Sequence, residues 1–434
     1  MNDELRMLNA ECNTKDNSSL STQHSSFNTP AIRFAGFGGG ISSIKLKEII
    51  ISNIYGPRFN ANDYDINGNV RTIRGTDISV NGCILYSQVP IASLGINFIQ
   101  NHILKDGDLI MITTADCGLT GVFEKQKDNY IGSAYAVKIT LNQALTFPLY
   151  FKYFFQTRLA KNEVNKYIRK ATVANLPASA ILKIAHRLPD KKEQTKIGNY
   201  FQQLDTLIAQ HQQKHEKLQN LKKALLEKCF PKQGEHTPEL RFKGFSGAWE
   251  EKALGDLADI VRGASPRPIE NPKWFDKESE IGWLRIKDVS EQNGRIYHLV
   301  QRLSQEGEKK TRVLITPHLL LSIAASVGKP VINYVSTGVH DGFLIFLNPK
   351  FVQEFMFQWL KGFEKHWHKY GQPGSQVNLN SDIVKNQKIV IPEFSEQTKI
   401  GNLFQQLDTL INQQQTQLSK LKNIKQACLE KMFA

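Results

Sequence analysis

The sequence predicts a mixed α/β fold in which two domains are each followed by a long helix. Three observations carry that prediction. One string occurs twice almost unchanged: "EQTKIGNYFQQLDTLI" (Glu193 to Ile208) and "EQTKIGNLFQQLDTLI" (Glu396 to Ile411), which differ only at Tyr200 and Leu403. Duplication at long period marks a repeated architecture. Around both strings, apolar residues recur at heptad spacing, the signature of a helical seam. Between them lie short β-rich runs such as "GDLIMIT" and "DGFLIFL", broken by turn residues and followed by one helical stretch each. That order predicts a mixed α/β domain in each half.

Taken in order, residues 1–28 read as a polar leader without the apolar core of a signal peptide. The first domain spans 29–188. It opens with Thr29-Pro30 and "RFAGF", continues through "RGTDIS" (Arg74 to Ser79), Asn81-Gly82 and "LIMITTADCG" (Leu109 to Gly118), and reaches "VANLP" (Val173 to Pro177). The first long helix spans 189–230. Pro189-Asp190 with Glu193 three residues on resembles a capping box, and Phe230-Pro231 closes the helix. Ile197, Leu204, Leu218 and Leu225 share one heptad position, with Leu207 and Leu221 three residues along.

The second domain, 231–391, repeats the first faintly: "RFKGF" after Thr237-Pro238, "RIKDVS" (Arg285 to Ser290), Asn293-Gly294, "LLLSIAASVG" (Leu319 to Gly328) and "VNLNS". The second long helix, 392–434, sets Ile400, Leu407, Leu421 and Cys428 at the matching position, with Leu403, Leu410 and Ile424 beside them. Each seam turns polar in its middle, at His211 and Lys214 and at Gln414 and Gln417. Two readings stand: a device fixing register and partner, or a gap left to solvent or to another protein.

Composition narrows the function classes. With 55 Lys+Arg against 41 Asp+Glu the net charge is +14, which favours a polyanionic partner. No apolar run approaches the roughly 20 residues of a membrane span. The five cysteines, Cys12, Cys83, Cys117, Cys229 and Cys428, are scattered and never spaced C-x-x-C, which predicts a reduced, cytoplasmic protein without a structural metal.

The paired helices, the "RFxGF" entries, "WEEKALGDLADI" (Trp249 to Ile260), "LLLSIAASVGKP" and "GSQVNLNSDIVKNQKIVIP" together resemble the specificity subunit of Type I restriction–modification systems over nearly the whole chain. The first half departs from the pattern, with "ADCGLTG" for "ASVGKP" and "KATVANLP" for "GSQVNLNS". The resemblance implies two target-recognition domains separated by an antiparallel coiled-coil helical pair, each reading one half of a split DNA sequence. It further implies partners: double-stranded DNA, two modification subunits that methylate adenine N6, and restriction subunits that translocate and cleave. S-adenosylmethionine, ATP and Mg would then sit on those partners and none on this chain. The repeat order gives pseudo-two-fold symmetry. A helix of about 35–40 residues, about 50–60 Å long, can set two modules one duplex turn apart.

Strings that resemble catalytic motifs are each incomplete or out of context in this chain. "FAGFG" (Phe34 to Gly38) fits the F-x-G-x-G of a methyltransferase cofactor loop, but its counterpart has Ser246 for the second glycine, and a polar leader precedes it where a strand is required. No Pro-Pro pair exists to hold a flipped adenine; the nearest string is "NPKW" (Asn271 to Trp274), which suits a loop carrying Lys273 toward a phosphate. "ASVGKP" lacks the first glycine and the hydroxyl of an ATP loop. "PDKKEQTK" reads as a helix start, and "HWH" (His366, His368) as an exposed helix end. The sequence therefore predicts no catalytic residues and no metal ligands.

Readout of DNA calls for Arg, Lys, Asn or Gln at base edges, and Lys, Arg, Ser or Thr at phosphates. The candidates in domain one are Arg58, Arg71 and Arg74, with Arg169, Lys170 and Thr172. Those in domain two are Arg262, Arg267, Lys273, Arg285 and Lys287, with Gln372, Ser375, Gln376 and Asn378. Arg74 and Arg285 occupy matching positions. Two other classes remain: a coiled-coil scaffold that never touches DNA, and a self-sufficient methyltransferase.

Overall fold

The computed structural model describes residues 30–38, 41–170, 172–324, 327–370 and 379–433, with His368 as backbone only. The polar leader and the candidates Gln372, Ser375, Gln376 and Asn378 lie outside the described residues. The chain divides into two compact units at His211/Gln212 and at Gln415/Thr416. Each unit is therefore one α/β domain plus a half of both long helices.

In the first unit, strands β1 (Ser42–Lys45) and β9 (Ala185–Leu188) pair antiparallel and bring the start and end of the domain together. A four-stranded sheet runs in the order β2 (Ile50–Tyr55), β8 (Ala136–Leu141), β5 (Leu109–Ile112), β6 (Thr120–Val122). A three-stranded sheet runs β4 (Ile91–Ala92), β3 (Val70–Ile73), β7 (Tyr130–Gly132), with β3 and β7 parallel. The run "LIMI" of β5 is apolar throughout because both its faces are covered. Leu109 and Met111 enter the larger core, while Ile110 and Ile112 enter a second one on the other face. The larger core takes Tyr150, Phe151, Tyr153 and Phe154 from helix Pro148–Phe154, and Ile197, Phe201, Leu204, Leu429 and Phe433 from the ends of the long helices.

The second unit repeats this plan. Strands β10 (Glu250–Ala253) and β19 (Lys388–Ile391) close the domain. A five-stranded sheet runs β11 (Asp259–Arg262), β18 (Phe343–Leu347), β15 (Leu319–Ser322), β16 (Pro330–Asn333), β13 (Arg295–Ile296). A three-stranded sheet runs β12 (Gly282–Leu284), β17 (Thr337–Val339), β14 (Arg312–Leu314). Leu319 and Leu321 face one core and Leu320 the other, as in β5. The sheets also differ: the third strand pairs with β3 in the first unit but with β17 in the second. Gly56 and Gly263, which follow β2 and β11, are matched by necessity. A Cβ there would lie 1.9 Å from the Gly132 carbonyl oxygen, or 2.2 Å from that of His340.

The long helices span Lys191–Cys229 and Phe394–Met432, each of 39 residues. Within each unit they run antiparallel. Tyr200 meets Cys428 and Asp205 meets Lys425 in the first unit, and Phe230 meets Phe404 while Lys222 meets Asp408 in the second. The buried face is wider than a coiled-coil seam, because each helix end packs on a domain as well as on the other helix. Ile197, Tyr200, Phe201 and Leu204 are all buried, at the i, i+3, i+4, i+7 spacing of a globular helix face. Ile400, Leu407 and Leu421 are buried, and Leu207, Leu218, Leu225 and Ile424 are half-buried.

Two leucines depart from the predicted seam: Leu221 is 48% exposed and Leu410 41%. Lys214 also faces out, and the buried polar residues of the mid-helix are His215 and Gln414. The predicted capping box is half present. Asp190 accepts the Glu193 backbone N–H at 2.8 Å, but the Glu193 carboxylate turns to Arg33.

That contact explains "RFAGF". Arg33 donates Nε and Nη2 to Glu193 at 2.8 and 2.6 Å, and Arg241 donates the same atoms to Glu396 at 2.7 and 2.8 Å. Gln194 and Gln397 each accept a backbone N–H from the domain, from Phe147 and Val352, both at 2.9 Å. The duplicated "EQ" is thus the clamp that fixes each helix start to its own domain.

Candidate nucleic-acid interface

The candidate cations lie on three kinds of support. The first is shared by both domains. Where β3 and β12 end, Arg74 and Arg285 each begin a short helical turn capped by an aspartate three residues on. The backbone N–H of Arg74 reaches Asp77 at 2.9 Å, its Nε at 3.0 Å and its Nη2 at 2.9 Å. Arg285 makes the same three bonds to Asp288 at 2.9, 3.2 and 3.1 Å. The aspartates are buried and the arginines are not. The side-chain bond to the carboxylate raises the pKa of both guanidiniums.

The second support belongs to domain two alone. Asp341, just past β17, accepts Ser265 Oγ at 2.7 Å and Arg267 Nη2 at 2.6 Å, while its carbonyl accepts Arg262 Nε at 2.6 Å. Burial would push its carboxyl up, but the Ser265 hydroxyl, His340 and Arg267 together hold it below the usual range. By strand register the matching residue of domain one is Ala134. There, exposed Arg58 has no ion-pair partner among the described residues.

The remaining candidates are dispersed. Arg71 is half-buried, with Nε on Asp128 at 2.8 Å and Nη1 on the Val89 carbonyl at 3.2 Å. Arg169 exchanges backbone bonds with Asn175, and it is exposed together with Lys170 and Thr172. Lys273 lies 4.2 Å from the centroid of the Trp274 ring. Lys287 is exposed, 3.4 Å from Glu291. His366, from "HWH", stacks on Phe363.

Sequence reasoning passed over a set of charges between the helices, with Lys222, Lys425 and Arg295 buried and their acidic partners half-buried. Asp205 accepts Lys425 at 2.6 Å and the Tyr153 hydroxyl at 3.0 Å. Asp408 accepts Lys222, Gln358 at 3.0 Å and Arg295 at 3.2 Å, and Arg295 also forks onto Glu354 at 2.6 Å twice. Burial, helped by Lys361, brings Lys222 down to about 8 despite Asp408. The duplicated sequence held the signal: the same Asp and the same Lys recur among the leucines of both helices.

Among the described residues no group of three or more His, Cys, Asp or Glu could hold a metal ion. The four described cysteines are unpaired. No described helix is long and apolar enough to cross a membrane.

Comparison with known proteins accounts for the repeated plan. A family model described as the Type I restriction modification DNA specificity domain matches residues 40–220 and again 247–423. The S subunit of a Type I restriction–modification system from M. genitalium aligns with a TM-score of 0.61 at 14% identity, over 94% of this chain and 99% of that one. The HsdS subunit from Thermoanaerobacter tengcongensis aligns at 17% identity over 92% and 98%, with a TM-score of 0.45. A chain from a type I R-M system, solved for its complex assembly and conformational transition, covers 91% and 98% at 17% identity and 0.48. The first of these likenesses speaks to the fold: two α/β domains alternating with two long helices. With its family model matched once in each half, the chain belongs to the Type I restriction modification DNA specificity family.

Proposed function

We propose that each domain reads one half of a bipartite DNA sequence and that the chain thereby positions adenine-N6 methyltransferase subunits, and restriction subunits where present, on that site. The observation that supports this most is a common frame carrying different loops. The central strand pairings, the helix clamps and the Arg–Asp turns match between domains, whereas "GPRFN" after β2 answers to "GASPRPIENPKWF" after β11. Shared parts suit a shared job, and divergent loops suit different half-sites. The net charge of +14 supplies the sequence-independent attraction to phosphates. In this reading the chain performs no chemistry, and S-adenosylmethionine, ATP and Mg are bound by the partner subunits. Candidate contacts are Arg58, Arg71, Arg74, Arg169, Lys170 and Thr172 in one domain. In the other they are Arg262, Arg267, Lys273, Arg285 and Lys287, with Gln372, Ser375, Gln376 and Asn378.

The test is duplex binding by the chain assembled with its modification subunits between 50 and 200 mM salt. Six to ten phosphate contacts predict a loss of affinity of about 10³- to 10⁵-fold across that range. Binding to no duplex, by a complex shown to be assembled, would favour the protein scaffold.

A further inference from the structure

We infer that Arg74 and Arg285 each read a guanine, one in each half-site, and that Asp77 and Asp288 are the positioning residues that aim them. The inference rests on the proposed DNA reading and adds a base to it.

Bidentate arginine–carboxylate pairs occur at five described arginines, and exposure separates them. Arg33, Arg241 and Arg295 are 16%, 15% and 7% exposed and hold the long helices. Arg74 and Arg285 are 45% and 39% exposed, yet their aspartates are 0% and 4% exposed. A solvated pair would leave both partners open to water. Here the carboxylate is sunk in the domain and the guanidinium stands at its surface.

The atoms used matter. A guanidinium has a side edge, Nε and one Nη, and an end edge made by both Nη groups. In both domains the side edge is committed to aspartate, which leaves Nη1 on the end edge unpartnered among the described residues of a half-exposed side chain. Two parallel N–H groups on that edge match the O6 and N7 acceptors of guanine. Three bonds to one buried carboxylate, including the arginine's own backbone N–H, fix the fork before DNA arrives, so little side-chain entropy remains to be lost.

A phosphate is the competing ligand, and electrostatics disfavours it. The buried aspartate cancels most of the arginine's net charge, which weakens its attraction for an anion. A neutral base edge loses less by that cancellation than an anion does, since dipoles and geometry carry more of its recognition. Arg58 in domain one and Lys287 in domain two, which have no buried carboxylate, suit phosphate better.

The experiment maps N6-methyladenine in DNA exposed to the chain co-expressed with its modification subunits. Wild type is compared with Arg74→Lys, Arg285→Lys, Asp77→Asn and Asp288→Asn. Wild type is expected to show one fixed guanine in each half of its motif. Arg74→Lys, which keeps the charge and loses the fork, should relax guanine preference about 5- to 150-fold in one half only, and Arg285→Lys in the other. Asp77→Asn and Asp288→Asn should relax the same guanines; if either fails to fold, the lysine variants decide. A half-site without a fixed guanine overturns the inference. So does an even fall in methylation on an unchanged motif, the signature of a phosphate contact or of a framework residue. Absence of methylation by the assembled wild-type complex overturns the proposed function itself.

Discussion

Replacing Arg241 by alanine removes the clamp between the second domain and its helix, and the loss should depend on pH in a calculable way. Glu396 is fully buried and takes both Nε and Nη2 of Arg241, which is itself mostly buried. Without the guanidinium its carboxylate is an unpaired buried charge, and truncating one partner of such a pair costs about 3–5 kcal/mol. The carboxyl can escape by taking a proton. For a glutamate with an ordinary pKa of about 4.3, protonation costs about 3.7 kcal/mol at pH 7 and about 1 kcal/mol at pH 5. A folded variant that keeps this proton holds more protons than the unfolded chain above pH about 4.3, so its stability relative to wild type falls as pH rises. We expect a loss of about 3–4 kcal/mol at pH 7 that shrinks to about 1–2 kcal/mol at pH 5, the residue being lost packing of the arginine stem. All five tryptophans lie between Gln212 and Gln415, so urea denaturation followed by tryptophan fluorescence reports this unit. Equal losses at the two pH values would refute the charge argument and leave packing as the cause.

Other expectations follow from the helices. Lys425→Met should destabilise its unit by about 3 kcal/mol, because it strips Asp205 of the one cation in salt-bridge range among the described residues. Lys222→Met should cost less, since Asp408 retains Arg295 and Gln358; the two variants are compared by denaturation, and equal losses would contradict the difference between the nodes. Lys222 itself, with its pKa lowered to about 8 by burial, should add stability as pH rises from about 8 toward its unfolded value, and that rise should vanish in Lys222→Met. Leu221→Gln and Leu410→Gln should each change stability by under about 0.5 kcal/mol, whereas Leu204→Ala, at a buried position, should cost about 2–5 kcal/mol. A large loss at Leu221 would restore the simple seam.

The repeated plan was legible because duplication is a statement about sequence: two near-identical helices, and faint echoes such as "RGTDIS" and "RIKDVS", require two similar units. The wide helix face was not. Heptad counting assumes one partner, and these helices have a domain and a helix to cover, so Tyr200 and Phe201 join the buried face while Leu221 and Leu410 leave it. The Arg–Asp forks were half legible. Arg74 and Arg285 could be matched by position, but an i,i+3 pair does not disclose that its aspartate is buried. The Asp341 tether was hidden by distance along the chain, since its arginines lie more than seventy residues away. In the same way, the glycines of "RFxGF" invited comparison with a cofactor loop, which the second copy excludes, while the arginine that opens the string carries the structural role.

The central claim is that two similar frames read two different half-sites, and methylome mapping addresses it directly. The chain is expressed with its modification subunits, and N6-methyladenine is located across the host genome. The account predicts one split motif, with two unlike halves separated by a fixed unspecified gap. Methylation of an unbroken motif, or none from an assembled complex that binds S-adenosylmethionine, would contradict it.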